Sequence, residues 1–190
     1  MNYQLRTTIH DGRLAHPKLP KQISQLRGIV TCDPRGVSIE SSQGTLGDAV
    51  VRLTGRINGH NWPCDASLNV ATRGLLLDDR LASSLPPSMQ GGWDRLQPLG
   101  RVDLDAKLVH TDMTWRTAAT VVCKGVDVRY EKFPYPVENL VGRVEIRDDI
   151  ATTKALNGRI AGNRMQCAFR LPIKPGITNE KSFVVATDGA

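Results

Sequence analysis

The chain has 190 residues, of which 40% are hydrophobic and 23% charged, and these proportions exclude a disordered tail. Its net charge of +6 favours anionic partners, but the basic residues are spread along the chain, as on a solvated outer face. No apolar run is long enough to cross a bilayer, and the first residues lack the apolar core of a secretion signal.

The first 75 residues predict short strands that each have one apolar and one polar face. A strand is expected over residues 4–9, followed by a turn at Asp11-Gly12. Further along, apolar and polar residues alternate, as in Val51-Arg52-Leu53-Thr54, which is the period of a half-buried strand. Turns between these strands are predicted at Gln43-Gly44 and at Asn58-Gly59-His60-Asn61.

One stretch, residues 76–85, breaks this alternation. Three leucines recur there at four-residue spacing, and Asp78 and Asp79 lie near its start, where the helix dipole favours negative charge. The sequence therefore predicts a short helix that ends at Pro86-Pro87. A second helical turn, capped by Ser88, is expected before residue 96.

Alternation resumes at residue 101 and continues to the C-terminal region. Strands are predicted over residues 101–109, 113–123, 126–130, 143–147, 165–171 and 182–186. About ten strands joined mostly by short turns imply antiparallel neighbours. We therefore predict an all-β fold, an elongated and curved antiparallel sheet with one short helical insertion near residues 76–95.

Two segments of the chain match each other at a fixed offset of 132 − 18 = 114 residues. The matched pairs are Lys18 and Lys132, Pro20 and Pro134, Leu26 and Leu140, Gly28 and Gly142, Val30 and Val144, and Gly44 and Gly158. A self-match of fixed period indicates a repeat architecture. We interpret residues 1–125 as a first repeat with the helical insertion and residues 126–190 as the start of a truncated second repeat, in a fragment of a longer protein.

Residues able to form a catalytic or metal site are scattered. Cys32, Cys64, Cys123 and Cys167 show no metal-binding spacing and fall on the apolar register, so we expect small hydrophobic side chains rather than metal ligands. His60, four residues before Cys64, is a weak metal candidate within a predicted turn. The sequence has no nucleophile elbow, phosphate-binding loop or zinc-protease motif, and no aromatic platforms among its basic residues. We predict no enzyme activity, no cofactor and no nucleic-acid partner.

Aromatic residues make up only 5% of the chain, so the predicted apolar face is long, aliphatic and smooth. A sheet buries such a face by folding on itself, by packing on a second sheet or by covering an apolar ligand. The alternation alone leaves all three arrangements open.

A resemblance to a known family favours the third arrangement. The block Phe133-Pro134-Tyr135-Pro136-Val137-Glu138-Asn139-Leu140-Val141-Gly142-Arg143-Val144 resembles a segment of the AsmA-like family of bacterial cell-envelope proteins. A Leu-x-Gly hairpin follows that segment, and Leu156-Asn157-Gly158 is similar to it; residues 26–55 and 96–104 resemble further parts. The resemblance implies a long β-groove that is tethered to the inner membrane, reaches through the periplasm and carries phospholipid towards the outer membrane.

We therefore expect a periplasmic segment that shields or conducts phospholipid acyl chains between the inner and outer membranes, with envelope proteins as further partners. Its membrane tether would lie outside this chain. The candidate lipid-facing residues are Val51, Leu53, Leu68, Val102, Leu104, Ala106, Leu108, Trp115, Ala119, Val121, Val126, Val128 and Phe169. The alternative is a closed, non-catalytic β-sandwich that acts as a scaffold or interaction module of a large envelope protein.

Overall fold

The computed structural model describes residues 3–15, 21–61, 63–85, 87–130, 135–172 and 182–187. They form one antiparallel sheet of eleven strands whose spatial order is the order of the chain. The sheet is open and curved, and the two helices are short. The predicted all-β fold is confirmed.

The strands are β1 (Leu5–Leu14), β2 (Ile23–Asp33), β3 (Gly36–Leu46), β4 (Ala49–Asn58), β5 (Asp65–Leu77), β6 (Gly100–Thr111), β7 (Thr114–Val128), β8 (Val137–Arg147), β9 (Ile150–Ile160), β10 (Asn163–Pro172) and β11 (Ser182–Thr187). Between β5 and β6 lie α1 (Asp79–Ser84) and α2 (Pro87–Leu96).

Both helices lie in the predicted insertion, but their ends differ from the prediction. Strand β5 continues to Leu77, and the Asp78 carboxylate caps α1 by accepting a hydrogen bond of 2.9 Å from the Leu81 N–H. Helix α2 begins at Pro87, so Ser88 is not its cap. Proline suits the first turn because its φ is already helical and its missing N–H would have no partner there.

Two turns predicted from glycine lie inside strands. Strand β1 continues through Asp11-Gly12, where the pairing with β2 is only irregular, and β3 continues through Gln43-Gly44 to a turn after Leu46. A Cβ atom at Gly44 would lie 2.7 Å from the Ile23 side chain, so glycine is needed there for close strand approach. Leu156-Asn157-Gly158, interpreted as a hairpin, likewise lies within β9.

The 114-residue offset recurs in the strand bounds. Strands β2, β3 and β4 begin at residues 23, 36 and 49, and β8, β9 and β10 begin at 137, 150 and 163, so each difference is 114. Their last residues, 33, 46 and 58 against 147, 160 and 172, differ by 114 as well. The segments 23–58 and 137–172 are therefore two copies of one three-stranded unit. The division into repeats at residue 125 stays a prediction.

The pairing registers recur with the bounds. Ile23 pairs with Leu46 in the first copy and Val137 with Ile160 in the second, which is again a shift of 114 for both partners. The pairing of β3 with β4 has one irregularity, between Ile39 and Ser42, and β9 with β10 has one at the equivalent residues 153 and 156. The repeat therefore preserves bulges as well as strands. Pro20 and Pro134, which helped to reveal the repeat, lie outside the described residues.

The buried core lies on one side of the sheet, on strands β6 to β10. It consists of Val102, Cys123, Val126, Leu140, Leu156, Met165 and Cys167. The described residues contain no second sheet against which this cluster could pack.

Candidate functional site: the apolar face of the sheet

Partners directly opposite in an antiparallel pair project from the same face, so the register defines the faces of the sheet. Leu53 of β4 pairs with Val70, Val70 with Ala106, Ala106 with Ala119, and Ala119 with Ile146. This row crosses five strands without a charged residue. We call the side of the sheet that carries it the apolar face.

The thirteen candidate residues lie on the apolar face. Leu68 pairs with Leu108, and Leu104 pairs with Val121. The same register places Val51, Val102, Trp115 and Ala119 on this side, while Val126, Val128 and Phe169 belong to the buried cluster or pack against it. The structure thus brings the candidates together on one surface, and their contact with lipid stays a prediction.

Aliphatic side chains in the middle of this face are only partly buried. Leu53, Leu68, Leu104 and Leu108 all have intermediate exposure although they lie on central strands. The whole chain exposes 12692 Å². A compact monomer of 20.8 kDa exposes about 8,900 Å². The excess surface is that of a single curved layer rather than of a closed two-layer domain.

Polar residues of the apolar face that are not among the candidates include His110 and Thr72. His110 is buried, its Nδ1 atom lies 2.6 Å from the Cys64 carbonyl oxygen, and its ring centroid lies 4.9 Å from that of Trp115. The Thr72 hydroxyl is buried and has no hydrogen-bond partner in the described part of the chain. In β5 and β6, Thr72 and His110 follow the same alternation as the apolar residues. The alternation in the sequence therefore predicts that both lie on the apolar face.

Three of the four cysteines lie on the apolar face within strands, and Cys64 precedes β5. All four are free thiols. Burial raises the pKa of the Cys123 and Cys167 thiols, so both stay protonated at neutral pH and behave as small apolar side chains.

The opposite face is polar, and ion pairs connect neighbouring strands on it. Arg73 of β5 lies 2.8 Å from Asp105 of β6, and Lys124 of β7 lies 2.6 Å from Asp103 of β6. Asp103 also accepts a hydrogen bond of 2.8 Å from the Gly74 N–H. The Lys124 ammonium and then this N–H hold the pKa of Asp103 below its usual value.

The polar face has open hollows, which are lined by short side chains and by the long charged side chains around them. The hollow in the middle of the sheet has a volume of about 360 Å³, and Ala71 and Ala118 are among the residues that line it. Charges of both signs surround it, among them Arg52, Asp105 and Arg147. This mixture selects neither an anion nor a cation.

The described residues offer no cluster of three or more side chains that could hold a metal ion. His60 instead lies in the connection after β4, with its Nε2 atom 2.8 Å from the Asp33 carbonyl oxygen, which matches the predicted turn. Neither α1 nor α2 is long and apolar enough to cross a membrane, and the described residues contain no other helix.

Comparison of the chain with protein-family models, with curated proteins and with solved structures yields no significant match.

Proposed function

We propose that this protein shields or conducts phospholipid acyl chains along the apolar face of its curved sheet. The observation that supports the proposal is the continuous aliphatic row from Leu53 to Ile146 on a face with no second sheet over it in the described residues. An uncovered aliphatic surface of this kind is what an apolar ligand would bury.

The dimensions of the face suit an acyl chain. The row crosses five strands, and four interstrand spacings of about 4.8 Å give about 19 Å. One acyl chain spans half of a hydrocarbon core of about 30 Å, which is about 15 Å. Each CH₂ group that leaves water would contribute about 0.8 kcal/mol to binding. Because the row carries no charge, it would hold the chain without fixing the headgroup.

The cellular role that we propose follows the resemblance to AsmA-like proteins. The protein would lie in the periplasm of a bacterial envelope, tethered to the inner membrane. It would support phospholipid movement between the inner and outer membranes, together with envelope proteins. The paired copies at residues 23–58 and 137–172 suit this role, because repetition lengthens one apolar surface without interrupting it.

A non-catalytic scaffold is the second candidate, and the buried cluster around Val102 and Leu156 favours it. These two side chains are each 3% exposed, which is typical of a structural core. The cluster is confined to β6–β10, however, whereas the partly exposed aliphatic residues extend across β4 and β5. Lipid binding and a local core are therefore compatible within one sheet.

The test introduces a charge into the apolar face. Leu104 and Val121 are opposite each other on β6 and β7, and an aspartate at either position would lie against bound acyl chains. An unpaired carboxylate in an apolar environment costs several kcal/mol, so we expect bound phospholipid to fall at least tenfold in Leu104→Asp and Val121→Asp. On an open sheet, water reaches the new charge once lipid leaves, and the fold should persist.

The matched control is Ala118→Asp, which adds the same charge to the polar face of β7, opposite Lys107 and Arg147. Lipid that co-purifies with each variant is counted by native mass spectrometry, and folding is followed by circular dichroism melting. Absence of phospholipid on the parent protein, together with loss of fold in both apolar-face variants, would reject the transport proposal and favour the scaffold.

A further inference from the structure

The free edge of β11 has a structural equivalent inside the same chain. Strand β11 is the last strand of the sheet, and the described residues contain no strand beyond it. Met165 pairs with Thr187 on β11, and the repeat-equivalent Val51 pairs with Thr72 on β5. The second partner is shifted by 187 − 72 = 115 residues, one more than the first. β11 is therefore the second copy of β5, one residue later in the chain.

The sequences of the two strands agree with this equivalence. Residues 67–72 read Ser-Leu-Asn-Val-Ala-Thr, and residues 182–187 read Ser-Phe-Val-Val-Ala-Thr, so four of the six positions are identical. The outer edge of β5 is not free, because it pairs with β6 in antiparallel register. The first copy therefore shows which kind of strand the edge of β11 can accept.

The register on β5 can be transferred to β11 residue by residue. Ser67 pairs with Val109, Val70 with Ala106, and Thr72 with Leu104. On β11, a strand of the same kind would place equivalents of these partners opposite Ser182, Val185 and Thr187. Its alternate aliphatic side chains would then extend the apolar face, and its charged ones would extend the polar face.

The β11 edge is also exposed and apolar. Val184 is 64% exposed and Val185 is 40% exposed, whereas their β5 equivalents are an exposed asparagine and a partly buried valine. None of residues 182–187 is charged, so the edge lacks the lysine or glutamate that usually discourages strand addition.

We propose that the edge of β11 is a strand-addition site that binds one extended polypeptide segment in antiparallel register. The segment would have the pattern of β6, with aliphatic residues at alternate positions and charged residues between them. Backbone hydrogen bonds would supply the affinity, and the aliphatic rows would supply the register. The inference rests on the internal repeat and does not depend on what the apolar face carries.

The probe is a synthetic peptide with the sequence of β6, residues 100–111, added to the full chain. Alternate N–H groups of a strand point to opposite edges, so half of the β11 amides face the free edge. Hydrogen exchange measured at residues 182–187 should slow at least tenfold for those amides when the peptide is saturating. Reading the exchange at β11 separates this site from the opposite edge of the described sheet, at β1.

Two N-methylated peptides provide matched controls with the same side chains. One is methylated at Leu104, Ala106 and Leu108, and the other at Asp105, Lys107 and Val109. The two sets of amides point to opposite edges of the bound peptide, so only one set faces β11. Methylation of that set should reduce the protection of the β11 amides at least tenfold, and methylation of the other set should leave the protection unchanged. No protection by the unmodified peptide, or equal effects of the two methylated peptides, would overturn the proposal.

Discussion

The recurring glycines mark places where a neighbouring strand approaches too closely for a side chain. A Cβ atom at Gly28 would lie 2.5 Å from the Ser41 carbonyl oxygen, and one at Gly142 would lie 2.8 Å from that of Ala155, the equivalent residue. Gly44 and Gly158 show the same equivalence, with the carbonyl oxygens of residues 24 and 138 at 3.0 Å and 2.9 Å. Close strand approach thus explains why both copies keep glycine at these positions.

Alanine at Gly142 should therefore destabilise the protein. This glycine has a φ of +144°, which an L-residue rarely adopts, and the new methyl group would also meet the Leu156 side chain at 2.9 Å. We expect a loss of about 2 kcal/mol or more in the free energy of unfolding, measured by urea denaturation.

The matched control is Gly91→Ala in α2, where a Cβ atom meets nothing within 4 Å. Alanine lowers the entropy of the unfolded chain and favours the helix, so stability should rise by up to about 1 kcal/mol. Equal effects of the two substitutions would contradict the close-approach explanation of the repeat glycines.

The glycine pattern predicted the repeat but not the role of each glycine. The offset of Gly44 and Gly158 is visible in the sequence, yet the local pattern at Gln43-Gly44 predicts a turn. That error arose because the obstacle to a Cβ atom is supplied by Ile23 and Ser24, on a neighbouring strand about twenty residues away. A local reading of turn signals contains no information about the partner strand.

At the scale of elements, Asp103 joins three strands on the polar face. It lies on β6, pairs with Lys124 of β7 at 2.6 Å and accepts a hydrogen bond from the Gly74 N–H of β5. Gly74 lies where the pairing of β5 with β6 is irregular, between Thr72 and Leu75. The carboxylate thus satisfies a backbone N–H that the irregular ladder leaves without a strand partner.

This arrangement predicts a dependence of stability on pH. The pKa of Asp103 is lower in the folded chain than in the unfolded chain, so the unfolded state binds protons more readily as the pH falls. The stabilisation is complete above the unfolded pKa of about 3.9 and is lost progressively as the pH falls through the lowered folded value. Asp103→Asn should therefore be less stable than the parent protein at pH 7.

The stability difference between the parent and Asp103→Asn should shrink between about pH 5 and pH 2. Urea denaturation at a series of pH values measures it, with Lys124→Met as a second variant that removes the cationic partner and keeps an aliphatic chain. A difference that is constant over this range would show that the Asp103 carboxylate does not stabilise the fold through its charge.

Regular elements were more predictable than irregular ones. The alternation from Val102 to Leu108 placed β6 and its apolar side correctly, because a period of two depends only on local sequence. The irregularities beside Gly74 and Gly12 could not be predicted in this way, because a bulge depends on the register of two strands at once. The end of β5 was also missed, since Leu77 fits both a strand and the apolar spacing of a helix.

At the scale of the whole molecule, each strand contacts mainly its neighbours in the chain. The strands are hydrogen-bonded in chain order, and the main contacts beyond the sheet are those of α1 with α2 and with β5. Such an arrangement is nearly one-dimensional, so its stability approximates a sum over neighbouring strand pairs. The candidate lipid-facing surface could be predicted as one face, but whether a second layer covers it depends on contacts that alternation does not encode.

The sensitivity of unfolding to urea tests this single-layer architecture. An unfolded chain of 20.8 kDa exposes about 30,200 Å², and a compact fold would bury about 21,300 Å² of it. With 12692 Å² still exposed, this fold buries about 17,500 Å². Because the m-value is proportional to the surface that unfolding exposes, it should be about four-fifths of that of compact proteins of the same mass.

The m-value is measured on delipidated protein at several protein concentrations, because copies that cover each other's apolar faces would raise it as the concentration rises. An m-value equal to that of compact proteins at every concentration would mean that the apolar face is closed in solution, and would remove the surface on which the lipid proposal depends.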